Sequence, residues 1–253
     1  MRRWVRYISL VLVAYLIAMV ALFPARLAHE IVQPYLAKVP LSPRLYGVQG
    51  SIWSGRSSLL SLKQTPIGAL QWFYRPWWLP LGRVAVHWHL DADKGGLEGT
   101  VHLSRTALIL NEINGQIPLE TVLPLLPRCP TTMWGYLEVS LPTVLVEQGV
   151  LQRVIGTVIW KDAKLSLPQP VSLGDLTVTF EASNSPGIIG RFSDAGGPLQ
   201  INGDLYLEPD GRYRVNALLK PRPSAAPELA TTIAVLGRPD PQGRYRFTDS
   251  GKL

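Results

Sequence analysis

Residues 84–90 read Val-Ala-Val-His-Trp-His-Leu, with apolar side chains at Val84, Val86, Trp88 and Leu90 and with Ala85, His87 and His89 between them. Successive side chains of an extended chain point to opposite sides, so a period of two predicts a strand with one apolar and one wet face. A helix would need its apolar positions three and four apart.

The same period recurs downstream. Leu176, Val178 and Phe180 alternate with Thr177 and Thr179; Leu205 and Leu207 flank Tyr206; Tyr213, Val215 and Ala217 alternate with Arg214 and Asn216. Turn-forming clusters fall between such runs: Asp93-Lys94-Gly95-Gly96, Asn114-Gly115, Asn184-Ser185-Pro186-Gly187, Pro209-Asp210-Gly211 and Pro241-Gln242-Gly243. Residues 45–253 are therefore expected to form a mainly β domain, a curved antiparallel sheet of short strands joined by hairpins, with one or two short helices. Residues 118–126 are one candidate helix. Residues 227–236 are the better one, because Leu229, Thr232, Ile233 and Leu236 share a face, Pro227 suits the start and Gly237 the C′ position.

A weak internal repeat points the same way. GTVHLSRTALIL (99–110) aligns without gaps to GTVIWKDAKLSL (156–167), and GSIWSGRSSLLSL (50–62) resembles both after a slip of one residue. Repetition of one strand unit would extend a sheet by addition. Within GSIWSG, Trp53 is expected to cover apolar surface. Gly55, lacking Cβ, is expected to permit a bulge or tight bend, so that a bulky ring packs against a kinked backbone.

Upstream, Tyr7 to Phe23 contains no charged residue, and Arg2, Arg3 and Arg6 precede it. A helix of that length spans about 26 Å at 1.5 Å per residue. With Trp4, Val5 and a snorkelling Arg6 it crosses a bilayer core of about 30 Å. The flanking arginines place the N-terminus in the cytoplasm. Residues 1–24 then form a cytoplasmic tip and transmembrane anchor, residues 25–44 a juxtamembrane segment, and residues 45–253 a domain on the far side. A cleaved signal peptide is the competing reading; the apolar run is long for one, and no good small-x-small cleavage site follows it. Residues 25–36 can continue as a short helix that Pro34 limits.

Composition narrows the function classes. Apolar residues make up 47%, enough for a core, and the one cysteine excludes a disulfide framework or a multi-Cys zinc site. The net charge is +7, but beyond the N-terminal arginines the basic residues are scattered, unlike a nucleic-acid arm. No Walker loop, dinucleotide fingerprint, G-x-S-x-G or Ser-x-x-Lys is present, so neither an enzyme nor a cofactor is expected. The richest chemical cluster is His87, His89 and His102. If the turn at 93–96 closes a hairpin, His87 falls opposite His102 and three imidazoles share one face, a possible zinc set against the plainer reading of a wet strand face. The stretch QWFYRPWWLPLG (71–82) suits either the core of the sheet, the preferred reading, or a membrane-interface or docking cluster.

Three features together, a basic N-terminus with one apolar span, GSIWSG before the tryptophan-rich stretch, and the closing ATTIAVLGRPDPQGRYRFTDSGKL, resemble the type II secretion system protein N family. The resemblance implies a single-pass bacterial inner-membrane protein with a periplasmic β domain. It would be a non-enzymatic accessory subunit whose partners are other type II secretion components. Trp53, Gly55, Gly237, Asp240, Gly243 and Arg244 carry over as structural motif positions. The alternative is a periplasmic lipid-handling protein, whose curved sheet would cradle acyl chains on an apolar concave face; the lining of that face discriminates.

Overall fold

A computed structural model describes residues 22–36, 42–74, 84–103, 107–125, 132–166, 170–182 and 187–252, with positions 4, 7, 11, 12, 15 and 19 of the N-terminal segment. A helix α1 (Ala25–Leu36) leads into a single sheet. Its strands are β1 (Arg44–Tyr46), β2 (Gln49–Gly50), β3 (Ser54–Leu62), β4 (Thr65–Tyr74), β5 (Val84–Ala92), β6 (Gly95–Leu103) and β7 (Ala107–Pro118), then β8 (Thr132–Glu147), β9 (Val150–Ser166), β10 (Pro170–Glu181), β11 (Ile188–Asp194), β12 (Leu199–Leu207), β13 (Arg212–Pro221) and β14 (Tyr245–Lys252). From β3 to β14 each strand pairs antiparallel with the next in the chain, and β1 and β2 both pair with the outer side of β3. The mainly β, antiparallel expectation holds. Two strands are not short: β8 has 16 residues and β9 has 17.

Cross-strand register keeps the two faces distinct over the whole sheet. Trp72 pairs with Trp88, Leu90 with Leu97, Val101 with Leu110, Val139 with Val158, Leu176 with Trp160 and Leu205 with Val215, all on one apolar face. The opposite face pairs His89 with Glu98, Thr177 with Ile159, Thr179 with Arg191 and Asn216 with Thr248. Register shifts between β3 and β4, β6 and β7, β8 and β9, and β9 and β10 mark bulges that add local twist.

Three apolar clusters lie along the apolar face. One joins Ile67, Leu90, Ala92 and Ile117, closed by Val122 and Leu125 from a short helix α2 (Leu119–Val122) and the 3-10 turn Leu123–Leu125. Another joins Ala163, Val171, Leu173 and Leu199 to Leu229 and Ile233 of α3 (Pro227–Ala234). The third, around Val144, Val154 and Ile188, is built from strands alone. Both expected helices are present. α3 begins at Pro227 and buries Leu229 and Ile233, worth roughly 2 kcal/mol each by area.

Several sequence expectations change. The 99–110 and 156–167 copies are not one structural unit, since residues 99–103 and 107–110 belong to two strands whereas residues 156–166 run through one. A glycine-led apolar stretch suits any strand, so the match reflects composition. Asn114-Gly115 lies inside β7 and is no turn. The unforeseen two-residue hairpins are Lys63-Gln64 and Gln148-Gly149, with φ of 46° and 71°, and 51° and 78°, the left-handed pairs of a type I′ turn. α1 also runs two residues past Pro34.

Candidate functional site

The GSIWSG motif forms the junction between the N-terminal segment and the sheet. Ser51 turns the chain: its Oγ accepts hydrogen bonds from the backbone N–H of Trp53 at 3.2 Å and of Ser54 at 3.1 Å. The same turn grips the chain leaving the N-terminal segment. Ile52 N–H donates to the Phe23 carbonyl at 3.1 Å, and Pro24 bridges to Ser51. Trp53 therefore sits in a loop, with its ring centroid 5.1 Å from that of Tyr74, which is buried. Contrary to expectation, Gly55 does not kink the strand. It lies in regular β3 directly opposite Trp72, whose indole occupies the space of the missing side chain: a Cβ there would lie 2.4 Å from Trp72 Cζ2 and 2.8 Å from the Gln49 carbonyl oxygen. The glycine is a floor for an aromatic ring. The arrangement repeats at Gly99 beneath Trp88 and at Gly251 beneath Tyr213.

Around this junction β3 is covered by short elements of its own chain, since β1 and β2 both pair with it. α1 packs against β1 and β2. Ser57 and Ser58 hydroxyls both donate to the Tyr46 carbonyl, at 2.7 and 3.0 Å, and Arg56 holds the Gln49 side-chain oxygen through Nε and Nη2 at 3.2 and 2.9 Å.

The C-terminal motif residues meet in the loop between α3 and β14. Asp240 Oδ1 accepts the backbone N–H groups of Gln242 (2.9 Å) and Arg244 (2.8 Å), and its Oδ2 accepts Arg244 Nε at 2.8 Å. Those bonds, the Arg244 amide first, hold the carboxyl below the ordinary carboxylate range against a modest burial effect. Gly237 and Gly243 take φ of 126° and 76°, which only glycine adopts freely. Nearby, Arg222 Nη1 meets Asp194 Oδ1 at 2.6 Å, while Gly196 and Ile201 N–H groups donate to the same carboxylate at 2.9 and 3.1 Å. Burial alone would raise Asp194, but the Arg222 hydrogen bond and the two amides outweigh it, and the net shift is downward. Sequence reasoning missed this pair, because Asp194 and Arg222 are joined only by strand register.

His87, His89 and His102 share the polar face, as expected, but not a site. The turn at 93–94 is tighter than assumed, which moves the register by two. His87 faces Thr100, whose Oγ1 lies 2.9 Å from His87 Nδ1, His89 faces Glu98, and His102 faces Ala85. Among the described residues no group of three or more His, Cys, Asp or Glu could hold a metal ion. A shallow hollow of about 680 Å³ runs from Ser54 to Asn114, lined by Gln71, His87, His89, Glu98, Thr100 and Glu112 together with Trp72, Trp88 and the half-exposed Phe73. In the tryptophan-rich stretch Trp72 and Tyr74 face the apolar side; Trp77 and Trp78 lie outside the described residues.

A family model described as Type II secretion system (T2SS), protein N matches residues 44–248. The chain belongs to the type II secretion system protein N family. It is 26% identical to the type II secretion system protein N of Aeromonas hydrophila over 262 residues, covering 100% of both chains. It is 28% identical to that of Klebsiella pneumoniae over 83% of each, and 25% identical to that of Vibrio cholerae over 92% of this chain and 96% of the relative. No solved structure matches the chain. The family match begins at β1 and ends within β14, so it covers β1 to β13, the Ser51 turn and the Asp240 loop.

Among the described residues no helix is long and apolar enough to cross a membrane. The expected span, residues 7–23, falls mostly outside the described residues; of its described positions Tyr7, Val11, Leu12, Tyr15 and Met19 are helical and exposed, and Leu22 and Phe23 are not helical.

Proposed function

We propose that this protein is a non-enzymatic accessory subunit of the type II secretion apparatus. It is anchored in the bacterial inner membrane by its N-terminal segment and presents its sheet to other secretion components in the periplasm. The observation that carries the reading is the junction. The chain leaving the apolar segment is bonded at Phe23 and Pro24 into the turn that carries Trp53, which ties the end of that segment to the first strands of the sheet. Leu27 and Ile31, four residues apart on α1, are exposed beside that junction, which suits a helix resting on a bilayer surface. Membership of the protein N family supports the secretion assignment.

In this reading the motif residues are structural. Trp53 and Gly55 fix the junction, and Gly237, Asp240, Gly243 and Arg244 fix the approach of β14 to the sheet. Reporter fusions after residue 24, combined with pull-down from membranes that contain the apparatus, test the proposal. A periplasmic reporter and recovery of secretion components are expected. A cytoplasmic reporter, or recovery of none of them, overturns it.

A further inference from the structure

We propose that the free edge of β14 takes up an extended strand from a partner protein whose side chains alternate apolar and acidic. This rests on the reading of the protein as a contact subunit and names the surface and the class of partner. β14 pairs with β13 over eight consecutive residues without a register shift, and among the described residues no strand lies on its other side. Every second residue of such an edge leaves its N–H and C=O directed outward, a template for one more strand.

Side chains on the edge specify the rest. On the apolar face Tyr245 and Phe247 continue the sheet and Phe247 is exposed, while Asp249 further along accepts the Tyr213 hydroxyl at 3.0 Å. On the polar face Arg246 and Lys252 are exposed, with Arg214 behind them on β13. Neither Arg214 nor Arg246 forms an ion pair among the described residues. An added strand sets its side chains about 5 Å from these, so apolar residues on one side and carboxylates on the other complement the edge. A second copy of this chain fits poorly. Two β14 edges with their apolar faces on one side have two near-complete registers: in one Arg246 opposes Lys252 twice and Asp249 opposes Asp249, and in the other Arg246 opposes Ser250 and Phe247 opposes Asp249, so neither gives Arg246 a carboxylate. Like charges directly opposite each other are destabilising.

The test uses the purified full chain in detergent micelles and two labelled ten-residue peptides, one alternating Val and Glu, the other Val and Lys. The Val/Glu peptide is expected to bind about tenfold more tightly, the equivalent of about 1.4 kcal/mol, and to slow amide exchange in β14. Arg246→Glu with Lys252→Glu reverses the preference, while exchange in β5–β9 stays unchanged; the milder Arg246→Gln weakens Val/Glu binding without reversal. Equal binding of both peptides, no binding, protection at β1–β3 instead of β14, or a dimer formed through β14 overturns the proposal. A membrane pull-down that recovers no secretion component defeats the contact-subunit reading whatever the peptides do, whereas failed peptide binding beside a successful pull-down defeats the β14 assignment alone.

Discussion

At one end of the sheet the long strand β3 is covered by short pieces of its own chain; at the other, among the described residues, no strand follows β14. β3 is covered by β1, β2, α1 and the Ser51 turn, with serine hydroxyls and Arg56 occupying the edge carbonyls and side chains. β14 presents eight residues with nothing described beyond them. The contrast gives a one-layer sheet a direction. An open edge invites further pairing, and β14 offers eight residues for it where β1 offers three. The covered end is also where the N-terminal segment joins.

The same substitution at the two edges tests the contrast most strongly. Gly55→Val places a Cβ against both the Trp72 ring and the Gln49 carbonyl. The carbonyl cannot rotate away, so the variant should lose about 3 kcal/mol in urea unfolding. Gly251→Val meets no backbone atom, only the Tyr213 ring at 2.9 Å, whose hydroxyl bond to Asp249 is solvent-exposed; the loss should stay below about 1 kcal/mol. Equal losses would mean that the first edge is no more closely built than the last.

The next test lies on the path to the open edge. Asp194→Asn removes the carboxylate that holds Arg222 and two backbone amides, and should cost about 2 kcal/mol at neutral pH. The sign with pH follows from the depressed native pKa. Asp194 contributes its full stabilisation above the ordinary carboxylate value of about 4 and loses it as pH falls through the lower native value. The unfolding curves of the wild type and the Asp194→Asn variant should therefore converge in acid. A gap that persists below that range would assign the loss to packing.

The smallest expected effect is at the Asp240 loop. Asp240→Ala frees the Gln242 and Arg244 amides, whose exchange should quicken, while the melting temperature barely moves because the loop is open to solvent. A large fall in melting temperature would make this loop part of the core and would remove the distinction between a built edge and a free one.

How much of this could be read in the chain depended on whether the signal was local. Alternation along residues 84–90 is local and predicted the strand and both its faces. Pro227 and Gly237 bracketed α3 because helix ends have their own residue preferences. What escaped was nonlocal. Gly55 read as a bend because the ring that needs its empty space, Trp72, lies 17 positions away and meets it only through the β3–β4 register. His87 and His102 shared a face, but a turn two residues tighter than assumed separated them. The Lys63-Gln64 hairpin left no trace, since its left-handed φ values are carried by residues that do not advertise them. The junction is nonlocal too: nothing in Phe23 or Pro24 marks them as partners of Ile52 and Ser51.

Photo-crosslinking within the assembled apparatus decides the account most directly. Single crosslinking residues replace Leu45 on β1 or Thr248 on β14 in cells that carry the full secretion machinery. The account predicts adducts with a secretion component from position 248 and none from position 45. Adducts from position 45 with position 248 silent, or silence from both, would contradict it.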